Sequence, residues 1–453
     1  MKSHDAQIEI NQLKKRGFLT ENAVLRYLVF SALYACEGIP IGVLFYAIPA
    51  WLAMNGIAAS DIASYVAMVT LPWSFKLIMA PMMDRYTWLP MGRKRPWIIF
   101  SQACLFLGFL AFGMVEDPLN ELGLLMTVGF IVSLFGAMQD IGIDGMAVDV
   151  IPLNQQARAN GVMWGSRVIG QSLALLGGTA LINTIGFSNA ITFMSFIIIL
   201  LIMVPLFIRE RPGEKLFPWT SGKPNETAVQ AQSTNWKDLL KSLFKVTILP
   251  SSFLLAISMF IIGTFSGIYE TLLPIFTVQN LGWTNTEFSN VYSLATIMAG
   301  FIGMFAGGVI IDLFGTKKMI AIILTFMSIV ILSFSLVSSY WDSTFIIYSF
   351  VILYSLSITL YNIAAIALSM KLSWNKISAT QFTLFMMMNN LGISAGAIIY
   401  GWVQEKFSWP LIFIFTLAFI VFGLLTFRFI KIKKHLETIE FFNQSSKKHE
   451  SGK

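Results

Sequence analysis

Three carboxylates interrupt an apolar stretch of the chain. In LFGAMQDIGIDGMAVDVIP (134–152), Asp140, Asp144 and Asp149 lie among residues that would suit a lipid bilayer. Placing a charged side chain at the centre of a bilayer costs about 2.5–3.5 kcal/mol, so such residues pair with one another or line a wet cavity. Asp140 and Asp144 are four residues apart and therefore share one face of a helix. The pattern indicates carboxylates that handle protons or a polar ligand inside a membrane.

The composition supports a membrane setting. The chain has 453 residues, of which 56% are hydrophobic and 12% charged, and its mean hydropathy is +0.71. Soluble domains have about 25% charged residues. The two cysteines lie apart in apolar segments and the three histidines lie in polar tails, so we predict neither a metal site nor a histidine relay in the membrane. Residues 1–22 are polar and precede a full-length apolar segment, so we expect no cleavable signal.

Apolar segments long enough to cross a bilayer recur along the whole chain. Only helices and closed barrels can span lipid, and continuous apolar runs of this length predict helices. We therefore predict an all-α membrane protein with twelve transmembrane helices. The predicted spans are 25–53, 61–81, 96–115, 122–150, 158–182, 188–208, 248–279, 286–311, 317–339, 344–371, 379–404 and 409–430.

The basic residues between these spans predict the orientation of the chain. The gaps after odd-numbered spans contain one basic residue, Lys406, whereas the gap after the second span contains Arg85, Arg93, Lys94 and Arg95. The other even-numbered gaps and both tails are basic as well. Because positively charged loops stay in the cytoplasm, we predict that both termini are cytoplasmic. The net charge of +7 then follows from topology, and we expect no nucleic-acid partner.

A polar stretch divides the spans into two groups of six. Its end, from Trp236 to Lys245, has apolar residues at helical spacing and predicts a helix on the cytoplasmic membrane surface. The segments 48–65 and 273–292 have the same order of Pro, aromatic, Asn, Gly and acid at equivalent places in the two groups. Two six-helix halves in parallel repeat are typical of the major facilitator architecture. The predicted parts are a tail 1–24, a bundle 25–208, a linker 209–247, a bundle 248–430 and a tail 431–453.

Charged residues of the first half fall at similar depths in their spans. Asp140 and Asp144 lie in the fourth span, Lys76 in the second and Arg167 in the fifth, and Glu37 in the first span could join them. In one interpretation, an Asp144–Arg167 or an Asp140–Lys76 ion pair holds this half together. In the other, these residues face a central cavity, with Asp144, Asp140 and Glu37 exchanging a proton and Arg167, Lys76 and Glu37 binding substrate.

The second half has almost no charge in its spans apart from Glu270 in the seventh. Glu270 is a candidate for substrate contact, and the other polar candidates of this half are uncharged, namely Tyr361, Asn362, Asn389 and Asn390. We therefore predict an asymmetric cavity with charged groups on one wall and neutral polar and aromatic groups on the other. For Asn389 and Asn390, hydrogen bonding between helices is the alternative.

The loop after the second span resembles a known signature. APMMDRYTWLPMGRKR (80–95) is similar to the major facilitator loop pattern G-x-x-x-D-R-x-G-R-[KR], with residues inserted before the glycine. The resemblance implies that Asp84 interacts with a helix N-terminus of the other half, which is favourable for a carboxylate. It also implies that Arg85 or Arg93 pairs with Asp149. The equivalent loop of the second half contains Asp312, so we assign all five residues to gating.

Three further stretches narrow the resemblance. PWSFKLIMAPMMDRY (72–86), MQDIGIDGMAVDVIP (138–152) and ISATQFTLF (377–385) together resemble AmpG-type muropeptide permeases and the wider peptide–acetyl-coenzyme A transporter family. The resemblance implies import of anhydro-sugar peptides across the bacterial inner membrane, driven by the proton gradient without another cofactor. On the matching positions, Lys76 and Arg167 join Asp140 and Asp144 as the functional polar set. We expect a monomer that has the lipid bilayer and a small-molecule substrate as its partners.

Two departures from the family pattern leave an alternative substrate open. Glu37 adds an acid to the first span, and MFIIGTFSGIYETLLP (259–274) has no charge before Glu270. A carboxylate siderophore or another bulky metabolite is therefore the alternative substrate, and export is the alternative direction. A membrane-embedded enzyme is disfavoured because such enzymes usually have His, Cys or Ser constellations near one membrane face. A non-transporting receptor is disfavoured because both gate loops are intact.

Overall fold

The computed structural model describes residues 17–152, 155–226, 229, 236–374 and 377–450. Within these residues, twelve helices are long and apolar enough to cross a membrane, which confirms the predicted number. The first six are α1 (Ala23–Met54), α2 (Ala59–Arg85), α3 (Arg95–Gly113), α4 (Leu122–Val150), α5 (Gln156–Ile185) and α6 (Phe187–Phe207). The second helix continues past its predicted end at 81 to Arg85, so Asp84 is helical.

The linker and the second half supply the remaining helices. The linker helix is α7 (Trp236–Thr247). The second six membrane-length helices are α8 (Pro250–Asn280), α9 (Asn285–Gly307, continued by Gly308–Phe314), α10 (Thr316–Leu336), α11 (Thr344–Leu372), α12 (Ser378–Gln404) and α13 (Trp409–Phe429). The predicted polar tail after 430 contains a further helix, α14 (Ile432–Glu450).

Proline interrupts α1 and α8 at equivalent places in the two halves. Pro40 in α1 is followed by a π-helical turn at Gly42–Ala47, and Pro274 in α8 is followed by one at Phe276–Asn280. Proline has no backbone N–H and cannot donate the hydrogen bond of a regular α-helix, so the ladder is disturbed near it. Single π-turns inside α-helices are often found at functional sites. The shared irregularity supports the internal repeat that the sequence indicates.

Glycines let two pairs of helices approach closely. A methyl group on Gly38 of α1 would lie 2.4 Å from the Arg167 carbonyl oxygen of α5. In the second half, a methyl group on Gly263 of α8 would lie 2.2 Å from the Asn389 carbonyl oxygen of α12. Real Cβ atoms do not pack at such distances, so both contacts require glycine. The close α1–α5 contact brings the neighbour of Gly38, Glu37, next to the helix that contains Arg167.

The two six-helix bundles meet at the helix ends that the orientation rule places in the periplasm. Asn183 of α5 and Asn285 of α9 exchange side-chain hydrogen bonds of 2.8 and 3.0 Å. Gln279 of α8 donates to two backbone carbonyls around the turn between α1 and α2. The rings of Tyr46 and Tyr292 lie 4.9 Å apart between α1 and α9. These contacts close this end of the interface between the halves, which the orientation rule makes the outer end.

The linker helix forms as predicted, but protein covers part of its apolar surface. Leu243 is buried and belongs to a cluster that joins α7 to α14 and to the connection between α11 and α12. The buried members of this cluster are Leu243, Val246, Trp374, Ile377 and Ile439. The predicted position of this helix on the cytoplasmic membrane surface stays a prediction, and α14 and the α11–α12 connection bury one side of the helix. Phe244 remains 69% exposed.

Candidate functional site

A break in α2 positions the first charged residue of the site. The helix passes through a tight 3₁₀ turn at Leu71–Phe75, which contains Pro72, and resumes at Lys76. The Lys76 ammonium donates a hydrogen bond to Asp140 Oδ2 on α4. Both side chains are largely shielded, with 12% of Lys76 and 3% of Asp140 exposed. The predicted Asp140–Lys76 ion pair is therefore present.

Arg167 of α5 joins two carboxylates from different helices. Its Nη1 lies 3.0 Å from Glu37 Oε1 on α1 and 3.7 Å from Asp140 Oδ1 on α4. Glu37 is completely buried. The predicted Asp144–Arg167 ion pair is wrong, since the close α1–α5 packing turns the guanidinium towards Glu37. Asp144 lies one helical turn beyond Asp140, towards the end of α4 predicted to be cytoplasmic.

Asp144 has a neutral partner that the sequence reasoning missed. The Tyr34 hydroxyl of α1 donates a hydrogen bond to Asp144 Oδ1. A signal for this residue was present, because Tyr34 precedes Glu37 by three positions and residues at that spacing share a helix face. Once Glu37 is assigned to the cluster, Tyr34 is expected to point in the same direction.

Two tryptophans that the sequence analysis did not identify lie against the two cations of the cluster. The Lys76 ammonium lies 4.6 Å from the ring centre of Trp73. The Arg167 guanidinium lies 5.4 Å from the same ring and 4.9 Å from the ring of Trp164. Cations are attracted to the faces of aromatic rings, by about 0.5–2 kcal/mol depending on exposure. Each tryptophan precedes its cation by three residues, so helical spacing again offered a signal.

The cluster has an uneven charge balance. When all five groups are ionised, the carboxylates of Glu37, Asp140 and Asp144 exceed the cations Lys76 and Arg167 by one negative charge. Neither Glu37 oxygen accepts a well-aligned hydrogen bond from the described residues, although Oε1 is 3.0 Å from the guanidinium. A buried excess charge is costly unless it is neutralised. One bound proton would make the cluster neutral.

The candidate residues of the second half have different surroundings in the structure. The Asn390 amide donates to the Trp73 carbonyl oxygen at 3.2 Å, so this residue links the two halves as the hydrogen-bonding alternative predicted. Asn362, Asn389 and Glu270 are half-buried on α11, α12 and α8. Tyr361 is 1% exposed and its hydroxyl lies 4.0 Å from a methionine sulfur of α8. The prediction that Tyr361 faces the cavity is therefore wrong, because its side chain packs inside its own bundle.

The gate residues form a compact ion-pair network at the C-terminal end of α4, beyond Asp144. Arg93 Nη1 donates to Asp149 at 2.9 Å, and Arg93 Nη2 donates to Asp84 at 2.8 Å. Lys94 also pairs with Asp84. Of the two arginines predicted to pair with Asp149, the structure shows Arg93, whereas the Arg85 guanidinium lies over the ring of the adjacent tyrosine. The Asp312 side chain lies outside the described residues.

The first part of the linker fastens this network to the first bundle. Glu210 is completely buried and accepts hydrogen bonds from the backbone N–H groups of Arg93, Lys94 and Arg95, at 3.1, 2.9 and 2.7 Å. These donors lie at the start of α3, where a carboxylate is favoured by the helix dipole. The Arg95 side chain donates to backbone carbonyls at the end of α6 and in the linker. We call Glu210 and Arg95 the linker clasp.

Replacing Glu210 with alanine is expected to destabilise the protein. The substitution leaves three N–H groups at the start of α3 without their carboxylate, and each buried donor without a partner costs about 1–3 kcal/mol. Thermal unfolding of the detergent-purified protein should show a clearly lower midpoint. Glu116→Ala, at an exposed carboxylate in the turn between α3 and α4, is the matched control. Equal midpoints for the two variants would contradict the role of the linker clasp.

Glu214 in the linker is expected to make the stability of the folded protein depend on pH. Burial, followed by the nearby Glu210, raises the pKa of Glu214 from 4.5 to about 7. Between these values the folded protein holds a proton that the unfolded chain has lost, so stability falls as the pH rises towards 7 and levels off above it. We expect this decline in unfolding midpoint in the wild type and its absence in Glu214→Gln. A decline of the same size in both proteins would assign it to another group.

Comparisons with known proteins agree with this architecture. The profile of the Major Facilitator Superfamily matches residues 30–397 and 255–447. The anhydromuropeptide permease of Escherichia coli (strain K12) is 24% identical over 409 residues, which cover 89% of this chain and 78% of the permease. A putative transporter AmpG 1 of Rickettsia prowazekii is 25% identical over 430 residues, which cover 84% of this chain and 93% of that protein.

A solved structure shares the fold. The nucleoside transporter NupG superposes with a TM-score of 0.66 at 13% sequence identity, over 89% of this chain and 98% of its own. The twelve membrane-length helices, the family profile and the transporter relatives all indicate a multi-pass membrane transporter, not an enzyme. The chain belongs to the major facilitator superfamily.

Proposed function

We propose that the chain is a proton-coupled importer of a bulky anionic metabolite, with an anhydromuropeptide as the substrate, in the inner membrane of a bacterium. The observation that carries the proposal is the buried cluster of Glu37, Asp140, Asp144, Lys76 and Arg167, whose charges balance only when one proton is bound. Similarity to the Escherichia coli anhydromuropeptide permease over 89% of the chain supports the choice of substrate.

Arg167 is the anion-binding group in this proposal. Its guanidinium is held between Glu37 and Asp140, and its side chain is 16% exposed. A carboxylate of the substrate competes with these two acids for the guanidinium, because arginine binds planar carboxylates through two parallel hydrogen bonds. Protonation of one acid removes the excess negative charge of the cluster and so lowers the repulsion that the substrate anion meets at Arg167. Loss of that proton restores the excess charge, which repels the substrate anion.

Asp144 is the first choice for the proton carrier. Asp140 interacts with both Lys76 and Arg167, and Glu37 interacts with Arg167, whereas the described partner of Asp144 is the neutral Tyr34 hydroxyl. A carboxylate without a cationic partner gains most from a proton. In the proposed cycle, Asp144 receives a proton from the periplasm and releases it to the cytoplasm. Asp140 and Glu37 are the next candidates.

The gate network changes partners during the same cycle. Asp84 pairs with Arg93 and Lys94 of its own half in this structure. The outer ends of the two bundles are held together by the Asn183–Asn285 hydrogen bonds. We propose that Asp84 exchanges its pairings for contacts across the two halves when the outer end opens, and that Asp312 has the equivalent gating role in the second half. The protein is proposed to act as a monomer that needs the proton gradient and no other cofactor.

Uptake into proteoliposomes tests the proposed function. Labelled anhydromuropeptide is offered under an inward proton gradient, with and without a protonophore. Accumulation that collapses with the protonophore is the expected result. Arg428→Met, at an exposed arginine in the last turn of α13, should behave as the wild type. Accumulation only under an outward gradient would indicate export.

A carboxylate siderophore is tested in parallel. The completely buried Glu37 and the α8 segment that has no charge before Glu270 are the features that favour this alternative. Siderophore uptake without muropeptide uptake would reject the proposed substrate and keep the proposed coupling. Uptake of neither compound by correctly inserted protein would reject both substrates.

A further inference from the structure

Arg26 of α1 is a buried cation that lies outside both the charge cluster and the gate network. It is 5% exposed. Its Nη1 donates to the Leu19 carbonyl oxygen at 2.7 Å, and its Nη2 donates to Gln155 Oε1 at 2.8 Å. Both acceptors are neutral, and among the residues that the structure describes Nε has no hydrogen-bond partner and no carboxylate forms an ion pair with Arg26. A buried charge is costly unless it is paired, so this position favours an anion.

Arg26 lines a groove between the beginnings of α1 and α5. The volume of this groove is about 220 Å³. Its wall also includes Tyr27 and Phe30 of α1 and Val162 and Met163 of α5. The groove therefore combines one buried cation with a largely apolar wall. An occupant that fits both features has an anionic group and an apolar part.

The start of α5 adds to the positive potential at this end of the bundle. The helix has 30 residues and begins at Gln156, directly after Gln155, whose side chain accepts a hydrogen bond from Arg26. The N-terminal end of a helix has unpaired N–H groups and a partial positive charge, and both favour an anion. The buried guanidinium and this helix end thus act in the same direction.

The groove lies at the depth of the lipid headgroups. Helix α1 has 32 residues, whereas about 20 residues cross the hydrocarbon of a bilayer. Arg26 lies in the first turn of α1, at the end that the orientation rule predicts to be cytoplasmic. Val24 and Leu28 are 67% and 64% exposed, and at their spacing they share a helix face with Tyr27. The groove therefore borders a surface that faces lipid.

Charge and surface chemistry together select one class of occupant. A soluble phosphate compound would satisfy the guanidinium but leave the apolar wall in contact with water. A lipid with no net charge would cover the wall but leave the positive charge uncompensated. The cytoplasmic leaflet contains anionic lipids, and basic pockets between membrane helices on this side bind their headgroups.

We propose that this groove binds an anionic phospholipid of the cytoplasmic leaflet, with the lipid phosphate at Arg26 and the apolar part of the lipid along Tyr27, Phe30, Val162 and Met163. The lipid supplies the counter-charge of the buried guanidinium. It also joins the beginnings of α1 and α5, between which Arg26 already forms a hydrogen bond.

The same two helices hold the Glu37–Arg167 ion pair. A lipid that joins their cytoplasmic ends therefore stabilises the packing on which this pair depends. A ligand that binds only the folded protein raises its stability, so the anionic lipid should raise the unfolding midpoint. Binding of the lipid does not depend on the transported substrate and can be measured without one.

Native mass spectrometry of the full-length protein in detergent tests the site. Phosphatidylglycerol and phosphatidylethanolamine with identical acyl chains are added separately, because only the first has a net negative charge. We expect the wild type to retain one phosphatidylglycerol molecule more tightly than phosphatidylethanolamine. Glycerol 3-phosphate, which has the phosphate but no acyl chains, should not displace it.

Variants assign the preference to the groove. In Arg26→Gln, binding of phosphatidylglycerol should be at least about fivefold weaker, the effect expected of one basic residue at a membrane surface, and binding of phosphatidylethanolamine should be unchanged. Arg26→Lys keeps the charge and should retain the preference. Val162→Phe narrows the groove and should weaken binding of both lipids. Arg428→Gln, at an exposed arginine in the last turn of α13, is the control and should equal the wild type.

Four outcomes would overturn the proposal. One is equal binding of the two lipids by the wild type, and another is equal phosphatidylglycerol binding by the wild type and Arg26→Gln. If Arg26→Gln does not fold, unchanged lipid binding in Val162→Phe, which keeps the cation, has the same meaning. Displacement by glycerol 3-phosphate would assign the groove to a soluble phosphate compound. A preference that appears only after Asp5→Asn and Glu9→Gln would assign the groove to acidic residues of the N-terminal tail.

Discussion

Replacing Arg167 with methionine is expected to destabilise the protein by about 3–5 kcal/mol and to abolish uptake. Glu37 and Asp140 share this guanidinium, and Glu37 is completely buried, so the substitution leaves buried negative charge without compensation. The same substitution removes the proposed anion-binding group. Thermal unfolding in detergent and uptake into proteoliposomes measure the two consequences separately.

A second substitution distinguishes the loss of stability from the loss of anion binding. Glu37→Gln in the Arg167→Met background removes the uncompensated charge, so most of the lost stability should return. Uptake should not return, because methionine cannot bind the substrate anion. Arg428→Met changes an exposed arginine and should alter neither quantity. Equal unfolding midpoints for the wild type and Arg167→Met would contradict an ionised Glu37 in the folded protein.

Replacing Asp144 with asparagine is expected to abolish proton-driven accumulation while leaving substrate exchange intact. The remaining acids, Glu37 and Asp140, balance Lys76 and Arg167 without a bound proton. Binding and release of substrate can then occur at any proton gradient, and accumulation against a concentration gradient should fall at least about tenfold, which corresponds to 1.4 kcal/mol. Uptake under an inward proton gradient, compared with counterflow of labelled substrate, measures the two activities.

Tyr34→Phe is the matched control for this prediction. It removes the hydrogen bond to Asp144 but keeps the carboxyl group, so proton-driven accumulation should be retained. Unchanged accumulation in Asp144→Asn would move the coupling role to Asp140 or Glu37. If the triple variant Glu37→Gln, Asp140→Asn, Asp144→Asn still accumulates substrate under a proton gradient, the whole cluster is excluded from coupling.

Local properties of the chain are predicted correctly from the sequence. The number of membrane-length helices and their division into two groups of six follow from hydropathy. Hydropathy works here because the cost of placing a segment in lipid is a sum over its own residues. Helical spacing is also a local property, because it depends only on the positions of residues along one helix. It would have identified Tyr34, Trp73 and Trp164 from the positions of Glu37, Lys76 and Arg167.

The errors have a common origin in contacts between helices. The assignment of Arg167 to Asp144 was wrong because depth in the membrane does not say which helix faces are adjacent. The close approach of α1 to α5 at Gly38 brings Glu37 to Arg167. Tyr361 was assigned to the cavity by its polarity, yet its ring packs inside the second bundle.

The sequence by itself determined that this protein crosses a membrane with twelve helices in two repeated halves, and which charged residues lie within them. Those properties depend on local transfer free energies and on the periodicity of a helix. Only the tertiary structure decided which charges are paired and that Glu210 and Arg95 fasten the linker to the first bundle. The physical reason is that ion pairs and hydrogen bonds act over a few ångströms, and that proximity is set by helix packing between distant parts of the chain.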